Sequence, residues 1–359
     1  MRKAPQKAIV IHSPHSGRSG HLSESLAHLQ GMGIDVLQTI SVADLDALSP
    51  QGATWKEQGA EVAIAAGGDG LVGGVISHIA GSDLPLGILP LGTGNDIART
   101  LRIPLDIAAA AQVIATGATQ DIDVGTARPA EQAPHLASKE GHAVRSHIPQ
   151  QKHGYFAHAL TVGLNVQFAR IATNVATRQR YGRLTYPVAA VEALRYLGRL
   201  ETRLRFEGLH LPGNQTPTGE EEALPEELYS LSCRALQITI INAPIFGGQW
   251  QLRIPNSSIQ DRLLDIVVIE EADLSQLNAA LTRFFNARGQ ASSDNPVRAW
   301  RHPAELSGIP GIHHFQAKGV LLTTGADPID ATLDGEVRGQ TPMYIHLAEQ
   351  RLPVIVPYN

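Results

Sequence analysis

Residues 62–100 read VAIAAGGDGLVGGVISHIAGSDLPLGILPLGTGNDIART, and their reading decides the fold. Two apolar runs, Val62–Ala66 and Leu86–Leu89, are brief and bounded by glycine, which predicts two buried strands. The first empties into Gly67-Gly68-Asp69-Gly70, the second into Gly92-Thr93-Gly94-Asn95-Asp96. After each loop the apolar spacing turns helical, through Leu71, Val75 and Ile79 and then Ile97 and Leu101. Two strand–glycine–helix turns in tandem bring two sets of backbone N–H groups to one edge of a parallel sheet. That edge is where α/β sheets hold anionic ligands.

Several loop chemistries compete. Gly68-Asp69-Gly70-Leu71-Val72-Gly73 satisfies G-x-G-x-x-G after a strand, so a dinucleotide site is one reading. It wants an acidic residue at the end of the next strand, where Ile88-Leu89-Pro90-Leu91 has none. It also leaves Asp69 facing a pyrophosphate, which a carboxylate repels unless a metal intervenes. A Walker loop is excluded, because no lysine follows a glycine. Carboxylate and glycine without lysine suit a nucleotide whose charge is offset by Mg²⁺ and N–H dipoles.

GGDG followed some twenty residues later by PLGTGNDIART resembles the catalytic domain of diacylglycerol, sphingosine and ceramide kinases and their bacterial relatives. The resemblance implies ATP- and Mg²⁺-dependent phosphorylation of a lipid hydroxyl. It also implies an α/β nucleotide-binding domain with a parallel sheet and flanking helices, as in NAD kinase and diacylglycerol kinase. A mainly antiparallel β-sandwich domain follows. The boundaries read as 1–124, completed by about 341–359, and 125–340.

Composition fits that class. The 359 residues are 43% hydrophobic and 18% charged, enough for two domains with cores. A net charge of −5 and no basic stripe interleaved with aromatics argue against nucleic acid. The single cysteine, Cys233, excludes an internal disulfide framework. No run approaches a membrane span and Met1-Arg2-Lys3 opens no signal peptide, so the expectation is a cytoplasmic protein able to touch the inner membrane face.

Along the chain, Lys7–Ile11 reads as the first strand, and Ser13-Pro14-His15-Ser16-Gly17 resembles the family's N-P-x-S-G phosphate loop with Ser13 for asparagine. Leu22–Met32 predicts a helix, Ile34–Thr39 a strand, and Ala43–Gln58 a second helix. By resemblance Thr39 contacts nucleotide. Asp121–Gly125 resembles the strand that crosses into the second domain, with Asp123 at a metal–water network. Residues 127–152, 213–227 and 286–315 read as polar loops or insertions, and Asp273–Arg288 as a helix. Tyr155–Gly163 and Leu231–Asn242 read as strands.

From Arg170 to Arg205, eight arginines face two glutamates. They form either a face for anionic phospholipid or a solvated helix whose stems cover apolar surface. Asn242-Ala243-Pro244, Gly247-Gly248 and Asp261-Arg262-Leu263-Leu264-Asp265 resemble the family's N-A-P, G-G and D-G-x-L-D. There Asp261 and flanking backbone carbonyls such as that of Leu263 are implied to hold a structural Mg²⁺, although Arg262 replaces the glycine. Asp334-Gly335-Glu336 matches the family's D-G-E, and Thr341–Val356 reads as three proline-punctuated strand fragments, which the resemblance implies complete the first domain.

Phosphoryl transfer to a lipid needs a clamp on the ATP phosphates, a cation, and a carboxylate to take the hydroxyl proton. The clamp is assigned to Ser13, Ser16, Gly17, Thr39, Gly67, Gly68, Asp69, Gly70, Leu71, Gly92, Thr93, Gly94, Asn95 and Asp96, with Glu336. The resemblance implies that Asp69, Asp123, Asp334 and Glu336 supply oxygens for Mg²⁺, and that the base is Asp334 first and Asp69 second. Leu71 and Gly73-Gly74 depart from the family's threonine and Asn-Glu pair. That departure keeps a catalytically silent lipid-binding protein of the same fold as an alternative, beside an NAD kinase-like phosphotransferase and a dinucleotide-dependent oxidoreductase. The lipid partner's identity and the oligomeric state, a homodimer included, leave no trace in the sequence.

Overall fold

The computed structural model describes residues 5–14, 19–45, 50–132, 154–164, 166, 200–210, 230–246, 251–270 and 311–358. The first half supplies strands β1 (Lys7–His12), β2 (Asp35–Ser41), β3 (Val62–Gly67), β4 (Leu86–Pro90) and β5 (Ala118–Ile122). Helices α1 (Leu22–Gly31), α2 (Val42–Leu45), α3 (Gly52–Glu57), α4 (Asp69–Ile79), α5 (Asp96–Thr100) and α6 (Ile107–Thr116) alternate with them. Next come β6 (Gly125–Pro129), β7 (Gly154–Phe156), β8 (Ala159–Gly163), β9 (Leu200–Glu207) and β10 (Ser230–Ile241). Then follow β11 (Ile245–Phe246), β12 (Leu252–Arg253), β13 (Leu264–Glu270), β14 (Ile312–Ala317) and β15 (Gly319–Thr324). The chain closes with β16 (Asp330–Leu333), β17 (Glu336–Gln340), β18 (Met343–Leu347) and β19 (Leu352–Val356).

The first sheet has the order β2-β1-β3-β4-β19-β5. Its pairings are parallel except β19 with β5. Every residue of β3 and β4 is buried, because helices cover a parallel sheet and leave neither face wet. From β1 the chain goes to β2 on one side, and from β3 to β4 on the other. The loops after β1 and β3 therefore flank the point where the strand order reverses, where such sheets bind ligands.

Among the described residues the second sheet joins eleven strands, all paired antiparallel, into a sandwich-like body over its own apolar core. Strand β10 is its spine. One edge pairs with β9 through Ser230–Ala235 and then with β8 through Gln237–Ile241, while the other pairs with β13. Two stretches connect the bodies: Asp123-Val124 between β5 and β6, and Ala348–Arg351 between β18 and β19.

Several expected boundaries are corrected. The crossing strand expected over 121–125 breaks at Asp123-Val124, where the chain leaves one sheet for the other. Residues 127–132 are strand and 3-10 helix rather than loop, since β18 supplies a ladder more than two hundred residues away in sequence. Likewise Ile312–Phe315 belongs to β14, held by β13. Tyr155–Gly163 is two strands interrupted at Ala157-His158, whose N–H groups turn to a side chain instead of a ladder. The helix expected over 43–58 is α2 and α3, with Pro50-Gln51 outside either. The closing segment holds two strands rather than three fragments. The expected helix over 273–288 and most of the polar tracts lie outside the described residues.

Candidate active site

The two glycine loops touch. A Cβ on Gly92 would lie 2.4 Å from the Gly68 Cα, so only glycine lets the second loop settle on the first. Leu91 N–H donates to the Gly67 carbonyl at 3.0 Å, extending the β3–β4 pairing into the loops. Asn95 holds the second loop from within, in left-handed backbone at φ 56°. Its Oδ1 accepts from Gly92 N–H at 3.0 Å and its Nδ2 donates to the Gly92 carbonyl at 2.8 Å.

Asp69 fastens loop to loop. Its Oδ2 accepts from Asp96 N–H at 3.1 Å and its Oδ1 from Ile97 N–H at 2.9 Å, so the first loop's carboxylate caps the helix after the second. Gly68 stands at the N-cap of α4, and no side chain caps that helix. An uncapped helix start beside a glycine bend is a standard anion seat. Leu71, assigned to nucleotide, turns its side chain into the apolar core of the first sheet. Thr93 is exposed at the loop tip, Ser13 is half-buried just past β1, and Thr39 is exposed on β2. Ser16 and Gly17 lie outside the described residues.

The second body reaches this place through the β16–β17 turn. Asp334, at φ 49°, and Gly335 form the turn, and Glu336 opens β17. The Asp334 carboxylate is buried at 6% exposure and is met by three backbone donors. Ala157 N–H reaches Oδ2 at 2.9 Å, while His158 and Ala159 N–H reach Oδ1 at 2.9 and 3.0 Å. Burial pushes its carboxyl up to about 6, and the three N–H groups together with His158 hold it from rising further.

On its other side the carboxylate lies against α4. A Cβ on Gly73 would sit 2.3 Å from Asp334 Oδ2, and one on Gly70 would sit 3.1 Å from Glu336 Oε1. Of the two glycines that replace the family's polar pair, Gly73 thus makes room for the Asp334 carboxylate. Glu336 is exposed and pairs with Arg338.

His158 was missed in the sequence. Its Nε2 lies 2.8 Å from the Ile245 carbonyl and 4.0 Å from Asp96 Oδ2, with its ring on Phe246. The available signal was a histidine in the largely apolar run 155–163. Asn242 links the same region, its Nδ2 donating to the Asp123 carbonyl at 2.7 Å and the Ala157 carbonyl at 2.9 Å.

The residues assigned to metal, Asp123, Asp261 and Leu263, meet partners within the protein. Asp123 is wholly buried and meets guanidinium groups: Arg351 Nε at 2.9 Å and Arg262 Nη1 at 3.3 Å, both on Oδ1. Arg262 N–H takes Oδ2 at 2.7 Å. Asp261 is exposed, and its Oδ1 accepts from Leu263 N–H at 3.0 Å. Its carboxyl is pushed up to about 6, first by the part of its hydration that neighbouring chain displaces and then by the nearby carboxylates of Asp265 and Asp123. Among the described residues no cluster of three or more His, Cys, Asp or Glu has metal-holding geometry. Nor is any described helix long and apolar enough to cross a membrane.

Residues 7–127 match the diacylglycerol kinase catalytic domain, and residues 159–303 match the YegS C-terminal NAD kinase beta sandwich-like domain. The chain is similar over 98% of its length, at 26% identity, to a diacylglycerol kinase of Bacillus subtilis, of which it covers 97%. It is 24% identical to one of Staphylococcus saprophyticus, over 99% of this chain and 96% of that one. In fold it resembles a crystal structure of a diacylglycerol kinase from Bacillus anthracis, with a TM-score of 0.58 at 19% identity over 99% of this chain and 98% of that one.

Proposed function

The chain belongs to the diacylglycerol kinase catalytic-domain family, and from that premise we propose that it transfers the γ-phosphoryl group of ATP, with Mg²⁺, to a hydroxyl of diacylglycerol or a related lipid alcohol. One observation carries the reading: the Asp334–Glu336 turn of the second body lies against Gly70 and Gly73, in the first turns of the helix that the paired glycine loops feed.

In this reading the N–H groups of Gly68–Gly70 and of Thr93 and Gly94 hold the phosphate tail, with the Gly92 N–H kept by Asn95. Asp334 Oδ2, which accepts one backbone donor among those described, takes the lipid hydroxyl's proton as that oxygen attacks phosphorus. The base is suited to the task because a carboxyl near 6 is ionised at neutral pH yet more basic than an exposed one. The carboxylates of Asp96, beside Gly94, and Glu336, beside Gly70, are the hard oxygen donors that Mg²⁺ prefers. With ATP bound, that ion would offset the charge on the transferring phosphoryl group. His158 N–H and ring both serve the site, one steadying Asp334 and the other standing beside Asp96.

The lipid arrives from a membrane that the protein touches from the cytoplasm without crossing it. The arginines at 170–199 lie outside the described residues, and contact with anionic phospholipid through them belongs to this proposal. The test is incubation of the chain with γ-labelled ATP, Mg²⁺ and a panel of lipid alcohols. The reading predicts label in an extractable phospholipid; label in none of them, with ATP still bound, favours a silent lipid-binding protein.

A further inference from the structure

At the junction of the two bodies, the carboxylates of Asp123 and Asp265 lie close enough to that of Asp261 to raise its cost of ionisation. Such a crowd needs positive charge, above all at Asp123, which has no exposure at all. We infer that the guanidinium groups of Arg262 and Arg351 are the resident cations of this junction, in place of a bound divalent metal.

The geometry supports a clasp. Asp123 sits on the outward crossing between the sheets, and Ala348–Arg351 form the return crossing. Arg262, on the loop before β13, joins both: Nη1 donates to Asp123 Oδ1 and to the Ala348 carbonyl at 2.9 Å. Arg351 answers from the return crossing, with Nε on Asp123 Oδ1 and Nη2 donating to the Gln260 carbonyl at 2.7 Å. Arg262 has φ 63°, in the left-handed region that favours glycine. From that backbone its own N–H and its side chain reach the two oxygens of one carboxylate. Arg351 meets a carboxylate and a carbonyl from two nitrogens of one planar fork, which a lysine's single ammonium does not do. The observation favouring a metal instead is Asp265, whose Oδ1 is 2.7 Å from His314 Nε2 while its buried Oδ2 has no hydrogen-bond partner.

The experiment is thermal unfolding of the full chain without nucleotide, in EDTA and in millimolar MgCl₂ or CaCl₂, for the wild type and Arg262→Gly. If Arg262 were only a solvated side chain, glycine would relax its left-handed backbone and raise Tm. The clasp predicts the opposite: a fall in Tm of several degrees on Arg262→Gly, and a wild-type Tm that is the same in EDTA and in divalent salt. A wild-type Tm that climbs with Mg²⁺ or Ca²⁺, or an Arg262→Gly protein as stable as the wild type, overturns the inference. Should Arg262→Gly yield no folded protein, Arg351→Lys carries the test: a lowered Tm supports the clasp and an unchanged one overturns it. Because no turnover is read, the outcome is independent of the kinase proposal.

Discussion

Asp334 and Asp123 are both buried carboxylates at the meeting of the two bodies, and they are answered in different ways. Asp334 receives three backbone N–H dipoles, all from Ala157–Ala159, and lies against the bare Gly73. Asp123 receives one N–H and two guanidinium groups. Dipoles hold a carboxylate in place without cancelling its charge, so burial leaves Asp334 basic, with its carboxyl up near 6. Full charges bind Asp123 into the frame. Under the proposed function Asp334 is a proton acceptor and Asp123 a rivet, set apart by what faces their oxygens rather than by depth alone.

The contrast breaks most sharply at Asp334. Asp334→Asn should lower lipid phosphorylation by about 10²–10⁴-fold, the usual range for a general base, as measured with labelled ATP. Retained full activity would move the base elsewhere. Gly73→Ala comes next. The added Cβ would meet Asp334 Oδ2 at 2.3 Å, and a displaced acceptor should cost between about tenfold and 100-fold in kcat.

A pH profile sharpens the same point. Asp334 accepts a proton only when ionised, so kcat/KM should fall on the acid side with a midpoint near 6, by about tenfold for each further pH unit. The sign for folding is opposite. A raised carboxyl binds its proton more tightly when folded, so this group favours the fold below the ordinary carboxylate range and that gain is lost as pH rises through about 6. The smallest effect is at Gly74, whose Cβ would have its nearest neighbour, Arg338 Nη2, at 3.9 Å. Gly74→Ala should leave turnover unchanged and stabilise α4 by about 0.5–1 kcal/mol in thermal unfolding.

Legibility followed sequence distance. The runs Val62–Ala66 and Leu86–Leu89 can be recognised as strands unaided, since local apolar runs, glycine bends and helical spacing coincide within forty residues. The second sheet's strands were harder to bound. Residues 127–129 look polar and loop-like until β18 pairs with them, and Ile312–Phe315 reads as loop until β13 does. Tyr155–Gly163 looks like one strand because nothing local says that Ala157 and His158 will give their N–H groups to a carboxylate 176 or 177 residues away.

The same distinction runs through the candidate site. Residue type and spacing alone establish that two glycine bends follow two buried strands, and that acidic motifs come later in a fixed order. Which oxygens those acids spend on the protein itself is a tertiary matter. Asp69 caps the helix beyond its neighbouring loop, Arg262 closes on Asp123, and Gly73 yields its volume to Asp334. Each pairing joins residues with no shared local pattern. Hydrogen bonds and steric fit across the two bodies depend on where the chain returns in space, and a one-dimensional pattern carries periodicity but not that return.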